Sequence, residues 1–257
     1  VRGMFTFVIW DKNKQELFGA RDHFGIKPFY YAKMNGTFMY ASEIKSLLRH
    51  PDFVKELNAE ALKPYMTSQY PAIGETFSKG VYKLPEGHYF TYRDGKMDIH
   101  RYYDEDFREG KQKLGELVNS IDQTVCDSVK AHQIADVEVG SFLSSGVDSS
   151  YVAAVARPQH TYSIGFGKGT YNESQQAGEL AELLKLNNTA ESLTDEEAFA
   201  AFPRIQWHLD EPDSNPSCVP LYFLSALAAK DVKVVLSGEG ADELFAGYID
   251  YGVHTKF

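Results

Sequence analysis

The chain has 257 residues, of which 43% are hydrophobic, and this length can bury the core of one large domain or of two domains of about 100–150 residues each. No run reaches the roughly 18 apolar residues that a membrane helix needs, and the formal net charge of −10 repels phosphate backbones, so we expect neither a membrane nor a nucleic acid as partner. The two cysteines, Cys126 and Cys218, lie far apart in the chain, which suits a reducing cytoplasm and predicts a cytoplasmic protein without a disulfide framework.

Residues 1 to about 101 are predicted to form mostly strands. Apolar and aromatic runs separated by turn residues predict strands at 4–10, 16–20, 29–32, 37–40, 81–84 and 88–92. The dipeptide Asn35-Gly36, between the third and fourth of these strands, is a hairpin signal. A short helix is predicted over 42–48, and Asn58 is placed to cap another helix over 59–65.

The pattern changes at a polar, charged stretch over 104–113, which is predicted to be a linker. Apolar residues at helical spacing then predict an amphipathic helix over 112–131. Beyond it, strands alternate with helices, the strands at 137–143, 160–166 and 232–236 and the helices at 149–156, 173–186, 196–209 and 220–230. This alternation predicts a doubly wound parallel sheet, and the unbroken apolar run 232–236 is typical of a strand buried on both faces.

Ligands of doubly wound sheets bind outside the carboxyl ends of the strands, and three strand ends here carry unusual residues. The first strand runs through Ser144 and Ser145 into a helix. Backbone N–H groups at such a helix start, with hydroxyls beside them, can form an anion cradle, although a Ser-rich helix cap explains the pattern equally well. At the second strand end, Gly165 and Gly167 either let the backbone approach a flat base or simply make a turn.

The third strand end places two glycines and three carboxylates directly after the strand, within 237–243. Acidic side chains near a helix start are favourable and often only structural. Opposite a phosphate cradle, however, Asp148 and Asp242 would be able to hold Mg²⁺, which prefers a few carboxylates together with phosphate oxygens.

Together the three strand ends resemble the N-type ATP pyrophosphatase fold, whose loop Ser-Gly-Gly-x-Asp-Ser corresponds to residues 144–149. The dipeptide Glu211-Pro212 after Asp210, with Pro216, and the long run 237–248 (SGEGADELFAGY) are similar to the synthetase domain of B-type asparagine synthetases. A run of this length is highly specific.

The N-terminal part resembles the same family independently. Its runs GMFTF, RDHFGIKPFYY and ASEIK are similar to the second half of a class II glutaminase domain, and they lie at 3–7, 21–31 and 41–45. The resemblance therefore covers essentially the whole chain, in the domain order of that family.

The resemblance implies a fold for each part. Residues 1–103 are expected to form an α+β part with incomplete Ntn-hydrolase-type sheets, the C-terminal half of a glutaminase domain. Residues 104–257 are expected to form an α/β doubly wound parallel sheet, adenine nucleotide alpha hydrolase-like, in an ATP-pyrophosphatase domain truncated at its C-terminus. Because the family's glutaminase nucleophile is an N-terminal Cys, and because its synthetase domain continues into a further helical region, we expect a natural chain that is longer on both sides. The fragment is expected to be inactive as a glutaminase.

The reaction implied is that of a ligase of amino-acid biosynthesis. Glutamine releases ammonia, the aspartate β-carboxylate attacks ATP to give β-aspartyl-AMP and pyrophosphate, and ammonia displaces AMP to give L-asparagine. The resemblance thus implies ATP and Mg²⁺ as cofactors, and aspartate, ATP and glutamine or ammonia as small-molecule partners. It also allows a homodimer of the full-length form.

The resemblance further implies roles for the residues at the strand ends. The pyrophosphate cradle is expected to be formed by Ser144, Ser145, Gly146, Asp148 and Ser149, and Mg²⁺ to be held by Asp148 and Asp242. The AMP moiety is expected to lie against the backbone of Phe142, Ile164, Ser237 and Gly238. Glu239 is the candidate acid/base for the amination step.

One residue departs from the family's loop pattern, since Ser145 stands at the first loop glycine. If that position needs a positive φ, the serine costs about 1 kcal/mol of strain. Its hydroxyl would instead be able to add a phosphate contact, and we expect the loop still to work.

Three other functions remain open at this point. A related amide-forming enzyme on the same scaffold, such as a β-lactam synthetase or a peptide cyclase, would share the ATP loop and differ in the acceptor. A tRNA-modifying ATP pyrophosphatase would call for basic surface or zinc cysteines, which the composition does not offer. A non-catalytic nucleotide-binding module is disfavoured by the intact acidic residues Asp148, Glu239, Asp242 and Glu243.

Overall fold

The computed structural model describes residues 1–69, 73–106, 110–166, 173–248 and 251. The chain divides into two compact units. The first unit consists of Val1–Glu109 and Gln206–Asn215, and the second unit of Gly110–Ile205 and Pro216–Phe257. Among the residues described, no helix is long and apolar enough to cross a membrane.

The first unit is built mainly from antiparallel strands. In chain order its elements are β1 (Thr6–Asp11), β2 (Glu16–Arg21), β3 (Tyr30–Met34), β4 (Thr37–Ala41), α1 (Ile44–Leu47), a 3₁₀ turn (Ala59–Ala61), α2 (Leu62–Ser68), β5 (Val81–Lys83), β6 (His88–Arg93) and β7 (Lys96–Arg101). One sheet has the strand order β1-β2-β6-β7 and the other the order β4-β3-β5.

The local signals of the first unit are confirmed. Asn35 and Gly36 have φ angles of 50° and 83° and close the β3–β4 hairpin. The side-chain oxygen of Asn58 accepts a hydrogen bond from the Glu60 N–H at 3.2 Å, and so caps the helical segment that follows. Strand β7 has no counterpart among the predicted strands, because most of its residues are exposed and its sequence lacks an apolar alternation.

An aromatic core joins the two sheets of the first unit. Phe29, Leu84 and Phe90 are almost fully buried and pack together. Val8, Leu17, Tyr31, Phe38, Tyr92 and Met97 surround them. Since these residues come from strands of both sheets, the apolar faces of the sheets meet at this cluster. The tyrosine and phenylalanine runs of the sequence are thus explained by packing.

The turn after β2 is held by hydrogen bonds between the side chains of Arg21 and Asp22 and backbone groups. The Arg21 guanidinium donates to the carbonyl oxygens of Gly25 and Leu84, each at 2.6 Å. The Asp22 carboxylate is 1% exposed and accepts hydrogen bonds from the N–H groups of Ile26 and Lys27, each at 2.9 Å. Burial opposes ionisation of Asp22, but its backbone donors outweigh burial and lower its pKa below the usual 3.8.

We expect the substitution Asp22→Asn to destabilise the first unit by about 2 kcal/mol, because an amide offers one acceptor oxygen where the carboxylate offers two to charge-assisted bonds. Since the folded pKa is lowered, the stabilisation is present above pH 3.8 and is lost as the pH falls through the folded pKa. Urea unfolding of the wild type and the variant at pH values between about 3 and 7, in steps of about one pH unit, measures the difference in their free energies of unfolding. A difference that grew towards acid pH would contradict the assignment.

The second unit alternates strands and helices. In chain order its elements are α3 (Leu114–His132), β8 (Val139–Phe142), α4 (Val147–Ala156), β9 (His160–Phe166), α5 (Glu173–Leu184), β10 (Asn187–Leu193), α6 (Asp195–Leu209), α7 (Cys218–Ala228), β11 (Val234–Leu236) and α8 (Ala241–Phe245). The last residues of α6, from 206 onward, belong to the first unit. The strands pair in parallel in the order β10-β9-β8-β11, which confirms the predicted parallel sheet.

The strand order fixes where a ligand of the second unit is expected. From β8 the chain proceeds to β9 and β10 on one side, and then returns to place β11 on the other side of β8. The order therefore reverses between β8 and β11. The carboxyl ends of these two strands flank a topological switch point, the usual ligand crevice of open α/β sheets.

Two strands of this sheet differ from the sequence predictions. Within the described part of the chain, β11 pairs only with β8, and Val234 is 37% exposed, so the prediction that 232–236 is buried on both faces is wrong. Strand β10 was not predicted. Its side chains are mostly exposed because it lies at the opposite edge, and an edge strand of polar residues carries no apolar pattern.

Candidate functional site

The loop after β8 is closed by its own serines. The Ser144 and Ser149 hydroxyl oxygens lie 2.7 Å apart, and the Ser144 N–H donates to the Ser149 oxygen at 3.1 Å. The Gly146 N–H donates to the Ser144 hydroxyl oxygen, also at 3.1 Å. These bonds hold the ends of the loop together, so that the first turn of α4 starts at a fixed position beyond the strand.

The start of α4 offers backbone donors. Gly146 is the residue before the helix, and no side chain of the described residues caps the helix. The first N–H groups of a helix have no partner within it, and the helix dipole makes this end positive. With Asp148 in the first turn and an exposed Ser145 before it, the loop has the features of an anion cradle.

Ser145 carries no backbone strain. Its φ angle is not positive, since it does not occur among the described non-glycine residues of the left-handed region. The cost considered for this departure from the family pattern therefore does not arise, and the serine hydroxyl is exposed at the loop surface.

The loop after β11 lies against the loop after β8. A Cβ atom added to Gly238 would lie 2.8 Å from the Ser149 nitrogen and 2.9 Å from the Asp148 Cβ, both closer than real Cβ contacts. Gly238 thus permits a backbone contact that any larger residue would block. Two of the three predicted strand ends meet at this contact, beside the switch point of the sheet.

The carboxylates after β11 differ in their surroundings. Gly240, with a φ of 89°, begins α8, and Asp242 is half-buried in the first turn of that helix. The Tyr248 hydroxyl donates to Glu243 at 2.7 Å, so the Glu243 carboxylate is already engaged. Glu239 is exposed in the turn between strand and helix.

No group of three or more His, Cys, Asp or Glu side chains converges on one point within the described ranges. A metal ion between Asp148 and Asp242 would consequently need further oxygen ligands from a substrate. Neither carboxylate takes part in an ion pair with a described residue, and both are half-buried. This donor set fits Mg²⁺ bound together with phosphate oxygens.

The remaining predicted residues lie on β8 and β9. Phe142 ends β8, is half-buried and pairs in register with Tyr162, while Ile164 lies two residues further along β9.

The Ser163 hydroxyl donates to the Leu143 carbonyl oxygen at 2.7 Å. Ser163 is 1% exposed and was not among the predicted site residues. A serine inside an apolar strand is the signal that would have found it, because buried hydroxyls need partners. Gly167, named with this strand end, lies outside the described residues.

We expect Gly238→Ala to separate the two loops. The added methyl group overlaps backbone atoms of Asp148 and Ser149, and such overpacking costs about 1–3 kcal/mol. The matched control is Gly178→Ala in α5, where an added Cβ meets nothing within 4 Å and alanine favours the helix. Thermal unfolding of the two variants measures the difference. Equal stabilities would contradict the close approach of the loops.

Two sequence families match this chain. The family described as glutamine amidotransferase domain matches residues 1–103, and the family described as asparagine synthase matches residues 120–256. The second match alone covers more than half of the chain.

Individual relatives match nearly the whole chain. It is 42% identical over 256 residues to asparagine synthetase (glutamine-hydrolyzing) 1 of Bacillus subtilis, a match that covers 98% of this chain and 40% of that protein. It is 29% identical to asparagine synthetase (glutamine-hydrolyzing) 3 of the same organism, covering 96% of this chain and 44% of the relative. Amidase chry2 of Gibberella zeae is 30% identical, covering 96% and 40%. The chain thus spans about two fifths of the length of these relatives.

Proposed function

The chain belongs to the asparagine synthase family, and on this premise we propose that the natural protein containing it makes L-asparagine from L-aspartate, ATP and glutamine or ammonia. The observation that carries the proposal is the contact of Gly238 with Asp148 and Ser149. It joins two segments at the switch point of a parallel sheet. One is the Ser-rich loop, 143–146, which follows β8, and the other is here called the acidic loop, 237–243, which follows β11 and includes the first turn of α8. An anion cradle facing carboxylates suits the transfer of a nucleotide group from ATP.

In the first step, an oxygen of the aspartate β-carboxylate attacks the α-phosphorus of ATP. The bond from that phosphorus to the bridging oxygen breaks, which gives β-aspartyl-AMP and pyrophosphate. The N–H groups at the start of α4 and the Ser145 hydroxyl stabilise the charge that develops on the departing pyrophosphate. Ser144, Gly146 and Ser149 shape the loop through the hydrogen bonds of the two hydroxyls. Because the pair of hydroxyls shares one hydrogen bond, the other hydroxyl proton is proposed to donate to a pyrophosphate oxygen and so to complete the cradle.

The AMP moiety is proposed to lie against the backbone of Phe142, Ile164, Ser237 and Gly238. Phe142 ends β8, Ser237 and Gly238 follow β11, and Ile164 lies in the neighbouring strand β9, two residues before its end. Asp148 and Asp242 are proposed to hold Mg²⁺, which when bound neutralises phosphate charge. Their half-buried carboxylates suit this role better than that of Glu243, which is bonded to Tyr248.

In the second step, the nitrogen of ammonia attacks the β-carbonyl carbon of β-aspartyl-AMP, and the bond from this carbon to the AMP oxygen breaks. Asparagine and AMP leave, and the extra proton of the attacking nitrogen must be removed. Glu239, exposed in the turn after β11, is proposed to accept that proton.

The first unit is proposed to belong to a glutaminase domain that supplies the ammonia. Hydrolysis of the glutamine side-chain amide gives glutamate and ammonia. We propose residues 1–103 as the C-terminal half of this Ntn-hydrolase-type domain, and 104–257 as an adenine nucleotide alpha hydrolase-like domain, in a cytoplasmic protein.

A related synthetase with another acceptor is the second candidate. It shares the ATP chemistry of the second unit, and one relative carries the different name amidase chry2. The asparagine synthetases 1 and 3 of Bacillus subtilis, together with the run 237–248, favour aspartate as the acceptor.

Aspartate-dependent exchange of labelled pyrophosphate into ATP tests the first step. The natural protein is given ATP, Mg²⁺ and labelled pyrophosphate, with and without L-aspartate, and in the absence of ammonia and glutamine. We expect exchange only with aspartate, because the reversible step forms β-aspartyl-AMP. Exchange that is independent of aspartate, or absent from folded protein, would contradict the proposal.

A further inference from the structure

The segment 206–215 begins within α6 and is assigned to the first unit. It lies within the range matched by the asparagine synthase family, and the residues on both sides of it belong to the second unit. The segment itself packs as part of the first unit. It contains Asp210 and Glu211, and it meets the ASEIK run, 41–45. Neither motif has a role in the reaction described above.

Asp210 is fixed to α1. Its carboxylate accepts hydrogen bonds from the N–H groups of Ile44 at 2.7 Å and Lys45 at 3.3 Å. The Lys45 ammonium lies 2.9 Å from the same carboxylate, whose side chain is 6% exposed. Burial disfavours the Lys45 ammonium, but Asp210 and Glu43 outweigh burial and raise the pKa of Lys45. The backbone of Asp210 has a φ of 65°, in the left-handed region that Asp adopts more readily than most non-glycine residues.

Glu211 is buried next to Asp210. Its side chain is 8% exposed, and one oxygen accepts a hydrogen bond from the Phe77 N–H at 3.3 Å. The Lys83 ammonium lies 2.6 Å from the other oxygen. That oxygen has no aligned hydrogen bond among the described residues, so Lys83 is held by charge. A buried carboxylate whose cation is removed is left uncompensated, which makes the pair sensitive to either partner.

We propose that Asp210 and Glu211, here called the latch, are positioning residues. They increase the fraction of the ammonia released from glutamine that is used to form asparagine. The inference rests on the proposed function. The chain passes between the units at 109–110, 205–206 and 215–216, and the last two crossings bracket the latch. The latch therefore holds residues of the first unit from which the chain continues, within a few residues, into α7.

The latch does not contact the proposed chemistry directly. Its hydrogen-bond and ion-pair partners in the described structure are Ile44, Lys45, Phe77 and Lys83, all in the first unit. Loss of these hydrogen bonds and ion pairs should leave the rates of glutamine hydrolysis and of asparagine formation from ammonium unchanged. What it should change is the fraction of ammonia that reaches the second reaction before it is lost to solvent.

The test compares three rates in the natural protein and in the Glu211→Gln and Lys83→Met variants. These are glutamine hydrolysis, asparagine formation from added ammonium, and asparagine formation from glutamine. We expect the first two rates to stay within the spread of the wild-type values. The ratio of asparagine made to glutamate released should fall by about fivefold or more in both variants, a typical coupling between linked sites.

Matched and combined variants separate coupling from general damage. Glu56→Gln removes a carboxylate from an exposed ion pair with Lys79 in the same unit, and should leave all three rates unchanged. The double variant of Glu211→Gln with Lys83→Met should be no worse coupled than either single variant, because both remove one interaction.

Two results would overturn the latch. One is an unchanged ratio in both single variants, and the other is a parallel fall of all three rates, which would mean that the pair is merely structural. If the wild-type protein makes no asparagine from ammonium, the proposed function itself fails, and the latch proposal fails with it. This outcome is distinguished because it is seen before any substitution is made.

Discussion

The substitution Asp148→Asn should lower the rate of aspartate-dependent pyrophosphate release by about 10²–10³-fold. Asp148 lies in the first turn of α4, against Gly238 of the acidic loop, and is a proposed Mg²⁺ ligand. An amide keeps the size and the helix contacts of the carboxylate but removes its negative charge. The variant should therefore need a higher Mg²⁺ concentration for its half-maximal rate, and it should have a lower maximal rate.

The control for Asp148 is Asp127→Asn, an exposed carboxylate on α3. It makes the same chemical change at a surface position and should not alter pyrophosphate release. Thermal unfolding of both variants establishes that the fold is kept. Wild-type pyrophosphate release by Asp148→Asn, at every Mg²⁺ concentration, would remove Asp148 from the metal site.

Glu239→Gln should separate the two chemical steps. Glu239 is the proposed proton acceptor in amination, and loss of a general base costs about 10²–10⁴-fold. Pyrophosphate exchange with aspartate should continue, because β-aspartyl-AMP forms before ammonia reacts. Asparagine formation from ammonium should fall by the full factor, so that the variant accumulates the adenylate.

Glu243→Gln is the matched control in the same acidic loop. Glu243 accepts the Tyr248 hydroxyl at 2.7 Å, and its replacement perturbs the loop without removing the proposed base. A Glu239→Gln variant that had lost nucleotide binding, or that lost exchange and amination to the same extent, would contradict a role in proton transfer.

Local sequence patterns predicted much of the fold because they report burial and turn geometry. The Asn35-Gly36 hairpin follows from two positive φ angles, and the parallel sheet of the second unit follows from the alternation of apolar runs with amphipathic helices. Strands β7 and β10 escaped because their side chains are largely exposed, so that no apolar alternation marks them. Burial of β11 on both faces was wrongly predicted, because an apolar run does not reveal that its strand lies at the edge of a sheet.

The geometry of the candidate site was predictable only in part. Strand ends with Ser144 and Asp242 can be recognised from residue type, and the switch point explains why they share one edge of the sheet. The reason for a glycine at 238, a backbone contact with Ser149, depends on the folded chain. The hydrogen bond of Asp210 to the Ile44 N–H spans 166 residues, and no local pattern reports a contact of that range.

Product analysis tests the central claim most directly. The natural protein is incubated with ATP, Mg²⁺, L-aspartate and ammonium, and AMP, pyrophosphate and asparagine are quantified. Formation of all three in equal amounts is the result expected from attack of aspartate on the α-phosphorus followed by amination. Pyrophosphate without asparagine would point to another acceptor, and folded protein that released no pyrophosphate would contradict the account of the site.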